Sequence, residues 1–174
     1  MSDDEAATLP TNTIASLVSF FSSLNGLGIL APWSVEAKDF DYASTTVLII
    51  GGGSNCGKFR VQLAKLAGIG TIVVVGGVDI ESKIYGATHV LDRHGEYNEV
   101  LEWIRTVVGD DLQYAFDAIN APPGQILALN ALSNTKKGTL ARLVLMGPVD
   151  ESMVVGKNAG FKVKDVMGSS QLHP

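Results

Sequence analysis

Three consecutive glycines and a short polar turn, residues 51–55, directly follow an apolar run at 47–50. The run is short and rich in β-branched residues, which predicts a strand buried on both faces. After Gly57, apolar residues recur at helical spacing from Phe59 to Ala67. A glycine turn between a strand and a helix lets backbone N–H groups approach a phosphate, and the helix N-terminus adds about half a positive charge. This stretch therefore predicts an anion-binding site.

Two phosphate-binding patterns compete for this turn. The dinucleotide fingerprint G-x-G-x-x-G has Ser54 at its middle position in one register and Cys56 at its last position in the other. The P-loop pattern fits as far as Lys58, but Phe59 follows where a Mg²⁺-binding hydroxyl is needed. The fingerprint is favoured, because the glycine run supplies the tight turn and Gly57 allows close helix–strand packing. A glycine turn that binds nothing is the remaining alternative.

The segment after the second predicted strand indicates which dinucleotide would bind. A site for NAD usually has Asp or Glu about 20 residues after the fingerprint, where it binds the ribose 2′-OH. Here Gly76 and Gly77 occupy that point, and the first acid is Asp79. Without that carboxylate a 2′-phosphate is not repelled, and Lys83 or Arg93 could pair with it. These residues favour NADP(H) over NAD; the alternative is that both cations are solvated surface charges.

Size and charge exclude several classes of protein. The chain has 174 residues, is 46% hydrophobic and carries a formal charge of -5, which fits one domain with a real core. An acidic chain without basic clusters argues against nucleic acid as a partner, and no apolar run is long enough to span a membrane. The single cysteine excludes an internal disulfide and a cysteine-rich zinc site. It suits a reducing compartment, and we expect a cytoplasmic protein.

Strands and helices alternate along the rest of the chain. The predicted strands are 46–50, 71–75, 88–91, 112–116, 140–146 and 161–167, and the predicted helices between them are 56–68, 80–85, 96–108 and 122–132. This alternation predicts an α/β fold, a doubly wound parallel sheet of about six strands (Rossmann-like) in a single domain. Ligands of such sheets bind at the carboxyl ends of the strands. The dinucleotide-binding domain is expected to span 46–174.

Residues 1–45 are expected to form a lead-in segment with a helix of their own. The helix is predicted to begin after Pro10, with Asn12 or Thr13 as its cap, and to end at the Asn-Gly pair 25–26. Its apolar stripe comprises Ile14, Leu17, Val18, Phe21 and Leu24.

Several segments together resemble the cofactor-binding domain of the medium-chain dehydrogenase/reductase superfamily. They are ATLPTNTIASLVSFF at 7–21, the strand–turn–helix at 47–68, YGATHVLDRHG at 85–95, DDLQYAFDAIN at 110–120 and LARLVLMGPVD at 140–150. The chain is most similar to the zinc-free fungal branch of enoyl-reductase-like and zinc-binding-dehydrogenase-like proteins of secondary metabolism. The resemblance implies a nicotinamide dinucleotide, NADP(H), as cofactor and hydride transfer of the enoyl or quinone reductase type in the full-length enzyme.

The resemblance also implies a set of cofactor-binding residues. Around the pyrophosphate it implies Gly52, Gly53, Ser54, Cys56 and Gly57; around the 2′-phosphate Gly76, Lys83 and Arg93; beside the cofactor Asn120; and at the nicotinamide Leu145, Met146 and Gly147, with Gly168 and Ser169 near the same end. It implies no zinc and no metal ligand here. Catalytic residues are not assigned, since in the family they come largely from an N-terminal domain that we expect this chain to lack.

Two further expectations concern turnover and partners. A small-molecule substrate would bind only together with the missing domain, so the alternative is a non-catalytic nucleotide-binding fragment or module without turnover. Relatives often pair through the edge strand, which corresponds to 161–167 here, so a homodimer through that edge is a further expectation.

Overall fold

The structure is a computed structural model that describes residues 3–77, 83, 85–143 and 147–166. Within these residues, six strands and four α-helices follow one another along the chain. They are α1 Asp3–Phe21, β1 Thr46–Ile50, α2 Asn55–Leu66, β2 Thr71–Gly76, β3 His89–Asp92, α3 Tyr97–Val108, β4 Tyr114–Asp117, α4 Pro122–Ala131, β5 Gly138–Arg142 and β6 Phe161–Asp165. Two short 3₁₀-helices span Val35–Asp39 and Glu151–Met153.

All six strands run parallel in one sheet, in the order β3-β2-β1-β4-β5-β6. The chain builds the sheet outward from β1 to β3, then crosses back and continues from β4 on the other side of β1. At the carboxyl end of β1, Ile50 is paired with Val75 on one side and with Asp117 on the other. The predicted doubly wound Rossmann-like sheet is therefore confirmed, and its topological switch point, where such folds bind ligands, lies between β1 and β4.

The central strands are buried on both faces, because helices cover both sides of the sheet. On one face, Leu48 and Val73 pack with residues of α3 and α4 such as Ile104 and Leu129. On the other face, Ile49 and Val74 pack with a cluster that includes Phe20 of α1, Val61 of α2 and Phe116 of β4. This double burial explains the uninterrupted apolar runs of β1 and β2.

The first helix differs from its prediction in both its bounds and its buried face. It begins at Asp3, so Pro10, Asn12 and Thr13 lie inside it, and it ends at Phe21 rather than at 25–26. Two members of the predicted stripe, Ile14 and Leu24, are 60% and 66% exposed. The buried face carries Ser16, Ser19 and Phe20, while Val18 and Phe21 of the predicted stripe are half-buried against the same cluster as Phe20.

A buried arginine on α2 decides this orientation. The Nε–H of Arg60 donates to Ser19 Oγ at 3.1 Å and its Nη2 donates to the carbonyl of Ala15 at 3.2 Å. A buried guanidinium needs acceptors, so the serine face of α1 turns toward it. The hydropathy pattern of the sequence alone does not reveal that this guanidinium needs acceptors from α1.

Smaller differences concern element ends. The third and fourth strands begin one and two residues later than predicted, and β5 begins two residues earlier, since Gly138 and Thr139 already pair with β6. The predicted ends of the last two strands, 144–146 and 167, lie outside the described residues, as does most of the predicted helix 80–85.

Candidate functional site

A cleft of about 550 Å³ opens at the carboxyl ends of the central strands. Its walls come from the glycine turn after β1, the end of β2, the segment leading into α3 and the segment leading into α4. The residues that line it include Gly51, Gly53, Ser54, Val75, Gly76, Gly77, Arg93, Tyr97, Ile119, Ala121, Gly124 and Leu127. The cleft therefore occupies the topological switch point and is lined mainly by backbone and apolar side chains.

The glycine turn is packed so closely that side chains at its key positions are excluded. Gly51 has φ +81°, and a Cβ there would lie 2.4 Å from the side chain of Ile119. A Cβ on Gly57 would lie 2.3 Å from the carbonyl oxygen of Gly51. The first turn of α2 thus rests directly on the end of β1, which brings the helix N-terminus to the edge of the cleft.

Ser54 closes this turn as the N-cap of α2. Its hydroxyl accepts the N–H of Gly57 at 3.0 Å and donates to the carbonyl of Gly51 at 2.8 Å. The first turn of α2 contains no acidic residue, so the positive end of its dipole is not neutralised there. Serine at the middle position of the fingerprint is therefore compatible with an anion-binding turn.

The segment after β2 carries no carboxylate as far as it is described, to Gly77. Gly76 is buried at the end of the strand, and its carbonyl accepts the backbone N–H of Arg93 at 2.9 Å. Arg93 lines the cleft, whereas Lys83 is exposed and is not part of the lining. Only one of the two cations singled out by the sequence therefore reaches the cleft.

Arg93 also contacts its neighbour His94. The Nε–H of Arg93 donates to His94 Nε2 at 3.3 Å, and His94 Nδ1 lies 2.7 Å from Asp92 Oδ1. The same carboxylate oxygen accepts the backbone N–H of His94 at 3.0 Å. These bonds from His94, the backbone one first, lower the pKa of Asp92.

The other predicted site residues lie around the cleft rather than in its lining. Gly52 is buried against Val74, and the thiol of Cys56 points to α1, where it donates to Asn12 Oδ1 at 3.5 Å. Asn120 has φ 60°, and its Oδ1 accepts the N–H of Leu143 at 3.0 Å. The carbonyl of Gly147 accepts from Arg142. Leu145, Met146, Gly168 and Ser169 lie outside the described residues.

Sequence reasoning missed a buried polar cluster beside the cleft. Arg142 is 3% exposed and donates to Asp165 Oδ1 at 2.6 Å, to Gln125 Oε1 at 3.0 Å and to the carbonyl of Gly147 at 2.8 Å. Asp117 is fully buried nearby, accepts the N–H of Ile119 at 2.8 Å, and has its pKa raised by desolvation. The available signal was Arg142 itself, an arginine inside the otherwise apolar run 140–146.

Neither a metal centre nor a membrane span is found in the part of the chain that the structure describes. Its His, Cys, Asp and Glu side chains form no group of three that could hold a metal ion. Its helices are too short or too polar to cross a bilayer.

Comparison with known proteins gives two relatives in sequence. A zinc-type alcohol dehydrogenase-like protein of Schizosaccharomyces pombe is 33% identical over 154 residues, which are 86% of this chain and 42% of that protein. Trans-enoyl reductase gkaC of Penicillium citrinum is 32% identical over 123 residues, 68% of this chain and 31% of the relative. No protein-family model matches the chain.

Solved structures share the fold at lower identity. The enoyl reductase CurK has a TM-score of 0.71 at 20% identity, over 100% of this chain and 48% of that one. A mycobacterial protein solved in complex with NADPH has a TM-score of 0.65 at 20% identity, over 94% of this chain and 48% of that one. The chain spans less than half the length of each of these four proteins. Its sequence relatives, strand order and glycine turn together show that it belongs to the medium-chain dehydrogenase/reductase superfamily and has the fold of that superfamily's cofactor-binding domain.

Proposed function

We propose that this chain is the NADP(H)-binding domain of an oxidoreductase of the enoyl or quinone reductase type. The observation that carries the proposal is the composition of the cleft at the switch point. One end of the cleft has a glycine turn and a helix N-terminus without acidic residues in its first turn, and the other end has the guanidinium of Arg93, which follows β3 beside the end of β2. A dinucleotide with a 2′-phosphate carries a phosphate group for each of these two ends of the cleft.

The glycine turn is the proposed binding place of the pyrophosphate. Gly52, Gly53, Ser54, Cys56 and Gly57 would surround it. The N–H groups of Ser54 and Gly57 bond within the turn, to the Gly51 carbonyl and the Ser54 hydroxyl, so the N–H groups of the other residues in this set would contact the phosphate. The support is steric: a Cβ on Gly51 would lie 2.4 Å from Ile119 and one on Gly57 would lie 2.3 Å from the carbonyl oxygen of Gly51, so this close turn needs glycine at both positions. Ser54 would hold the turn in shape from within, as its contacts to Gly51 and Gly57 indicate.

The 2′-phosphate is proposed to bind where β2 and β3 end. Arg93 would form the main ionic contact, because guanidinium matches phosphate in a bidentate geometry. Among the described residues, no atom lies within 4 Å of a Cβ built on Gly77. Gly76 would border the phosphate, and Lys83 would add a more distant charge.

The nicotinamide is proposed to bind near the ends of β4 and β5. Asn120 and Gly147 would flank it, and Leu145 and Met146 stay predictions at this end. The bound nicotinamide supplies the hydride; the chain's own residues bind and orient the cofactor and exclude water. The names of gkaC and CurK support an activated double bond as the acceptor class.

Three further proposals concern the place of the substrate, a partner chain and the compartment. The substrate would bind in the full-length enzyme, between this domain and a further one. A second copy of the chain could pair along β6, which is an edge strand of the described sheet. We propose the cytoplasm as the compartment, in keeping with the single cysteine.

Titration calorimetry with NADPH, NADH and ATP–Mg²⁺ tests the proposal. The wild-type chain is expected to bind NADPH more tightly than NADH and to bind ATP–Mg²⁺ weakly. Arg93→Gln should weaken NADPH binding roughly ten- to a hundredfold, the range for a hydrogen bond between charged groups, and leave NADH unchanged. Lys38→Gln, which removes an exposed cation on the 3₁₀-helix Val35–Asp39, is the charge-matched control.

Equal affinity for the two coenzymes would refute the 2′-phosphate part of the proposal. Absence of binding by either nicotinamide coenzyme would refute the dinucleotide site of this chain. Preferential binding and hydrolysis of ATP–Mg²⁺ would favour the P-loop alternative instead.

A further inference from the structure

Arg93 is the last member of a short chain of contacts that begins at Asp92. Asp92 ends β3, and its Oδ1 lies 2.7 Å from Nδ1 of His94. Nε2 of the same ring lies 3.3 Å from Nε of Arg93. The three consecutive residues therefore form a series of contacts from carboxylate through imidazole to guanidinium, and Arg93 is the member that lines the cleft.

The chemistry of these atoms fixes the direction of each bond. A carboxylate only accepts, so Nδ1 of His94 carries the proton shared with Asp92. In the neutral ring, Nε2 is then the acceptor, and Arg93 Nε–H is a donor that it can bind. The second contact of Asp92 Oδ1, with the backbone N–H of His94 at 3.0 Å, holds the carboxylate in place.

This arrangement leaves the phosphate-binding edge of Arg93 available. The bond to His94 uses Nε, whereas a bidentate pair with a phosphate can be made by the two terminal nitrogens. The backbone N–H of Arg93 is anchored separately on the carbonyl of Gly76 at 2.9 Å. A long side chain that is already oriented loses less conformational freedom when it binds a ligand.

We propose that His94 is a positioning residue for the 2′-phosphate of NADP(H), acting through Arg93 and oriented by Asp92. The inference rests on the proposed function, because it needs Arg93 to meet the phosphate. It adds a determinant of coenzyme choice that does not itself touch the coenzyme. His94 and Asp92 have side-chain exposures of 65% and 40%, so the effect is that of a solvent-accessible hydrogen bond.

The test measures dissociation constants of the whole chain for NADPH and NADH by titration calorimetry. His94→Ala should weaken NADPH binding roughly three- to tenfold, as the loss of a hydrogen bond of ordinary net strength would, and leave NADH binding unchanged. His94→Gln retains an amide oxygen that can accept from Arg93 and should restore most of the NADPH affinity. His89→Ala is the matched control, because His89 is also exposed but its ring contacts Thr88 at 2.9 Å instead.

A double mutant separates positioning from a direct contact. In an Arg93→Gln background, His94→Ala should have no further effect on NADPH binding, since the group it positions is gone. The inference is overturned if His94→Ala keeps the wild-type preference while Arg93→Gln loses it, or if both coenzymes weaken equally. A wild-type chain without any preference for NADPH would instead overturn the proposed 2′-phosphate site, and the inference with it.

Discussion

At the scale of single residues, the site is shaped more by backbone than by side chains. Gly51 and Gly57 let α2 start against the end of β1, and Ser54 supplies the hydrogen bonds that hold the turn. Among the described residues that line the cleft, Arg93 is the one with a charged side chain. A substitution can therefore act through steric contact with the turn or through charge at the other end, and the two effects are separable.

Gly57→Ala tests the steric contribution. The new Cβ would lie 2.3 Å from the carbonyl oxygen of Gly51, a backbone atom that cannot move aside cheaply. We expect a loss of about 1–3 kcal/mol in the free energy of unfolding, as for other overpacked sites, together with weaker binding of both coenzymes. Urea unfolding measures the first effect and calorimetry the second.

Gly77→Ala is the control for stability, because no atom of the part of the chain that the structure describes lies within 4 Å of its Cβ position. Its free energy of unfolding should stay within about 0.5 kcal/mol of wild type. Equal destabilisation by both substitutions would contradict the packing argument.

At the scale of elements, buried polar contacts join helices whose hydrophobic faces alone do not define their orientation. Arg60 of α2 is fully buried, binds Ser19 and Ala15 of α1, and lies 4.0 Å from the ring centroid of Phe116 in β4. Burial lowers the pKa of Arg60 to about 10, so the side chain is still charged at neutral pH. The contact between α1 and α2 thus depends on hydrogen bonds to a desolvated cation.

Ser19→Ala should weaken this contact. It leaves Nε of Arg60 without its hydroxyl acceptor, and a buried donor without a partner costs about 1–3 kcal/mol in the free energy of unfolding. Ser23→Ala, at an exposed position just after α1, should change it by less than about 0.5 kcal/mol. Chemical denaturation measures the free energy of unfolding of both variants. Equal losses would contradict the role of Ser19 as an acceptor for Arg60.

Asp110 provides a pH-dependent contact between α3 and the segment before β5. Its carboxylate accepts the N–H of Asn134 and the hydroxyl of Thr135, both at 2.7 Å, and these bonds, with Arg105 nearby, lower its pKa from 3.8 to about 2. A depressed carboxyl pKa stabilises the folded state above the unfolded value. This stabilisation is therefore present above pH 4 and is lost as the pH falls toward 2.

The measurement is the free energy of unfolding of wild type and Asp110→Asn between pH 5 and pH 2. The difference between them should be largest near pH 5 and should shrink as the pH falls through the interval from about 4 to about 2. A difference that is constant across this range would show that the carboxylate does not titrate as described.

At the scale of the whole molecule, Arg142 connects the edge strand β6 with the segment that follows β5. Arg142 on β5 binds Asp165 on the edge strand β6, Gln125 on α4 and the carbonyl of Gly147. The partners come from elements far apart in the chain, and the arginine is almost completely buried. Loss of one partner would leave a buried charge, which is costly.

Asp165→Asn should destabilise the chain by roughly 3 kcal/mol, because it breaks a largely buried pair from one side. Asp111→Asn is the matched control: Asp111 pairs with Lys136 at the surface, where both side chains are at least half exposed, and its loss should cost under about 1 kcal/mol. Thermal unfolding of both variants provides the measurement, and similar costs would mean that Arg142 finds another partner.

Local patterns in the sequence determined the parallel α/β fold, the position of most strands and helices, and the glycine turn. This was possible because strand periodicity, helix periodicity and the conformational needs of glycine act over a few neighbouring residues. The central strands Thr46–Ile50 and Thr71–Gly76 and the helix before Gly109 were predicted within a residue or two for this reason.

Only the tertiary structure decided which of the predicted residues meet. Lys83 and Arg93 look alike in the sequence, but the pairing of β3 beside β2 brings Arg93 to the cleft and leaves Lys83 outside its lining. The serine face of α1 and the cluster around Arg142 were likewise set by contacts between distant elements. Buried charges find their acceptors through the packing of the whole sheet, and this information is not contained in the pattern of any single segment.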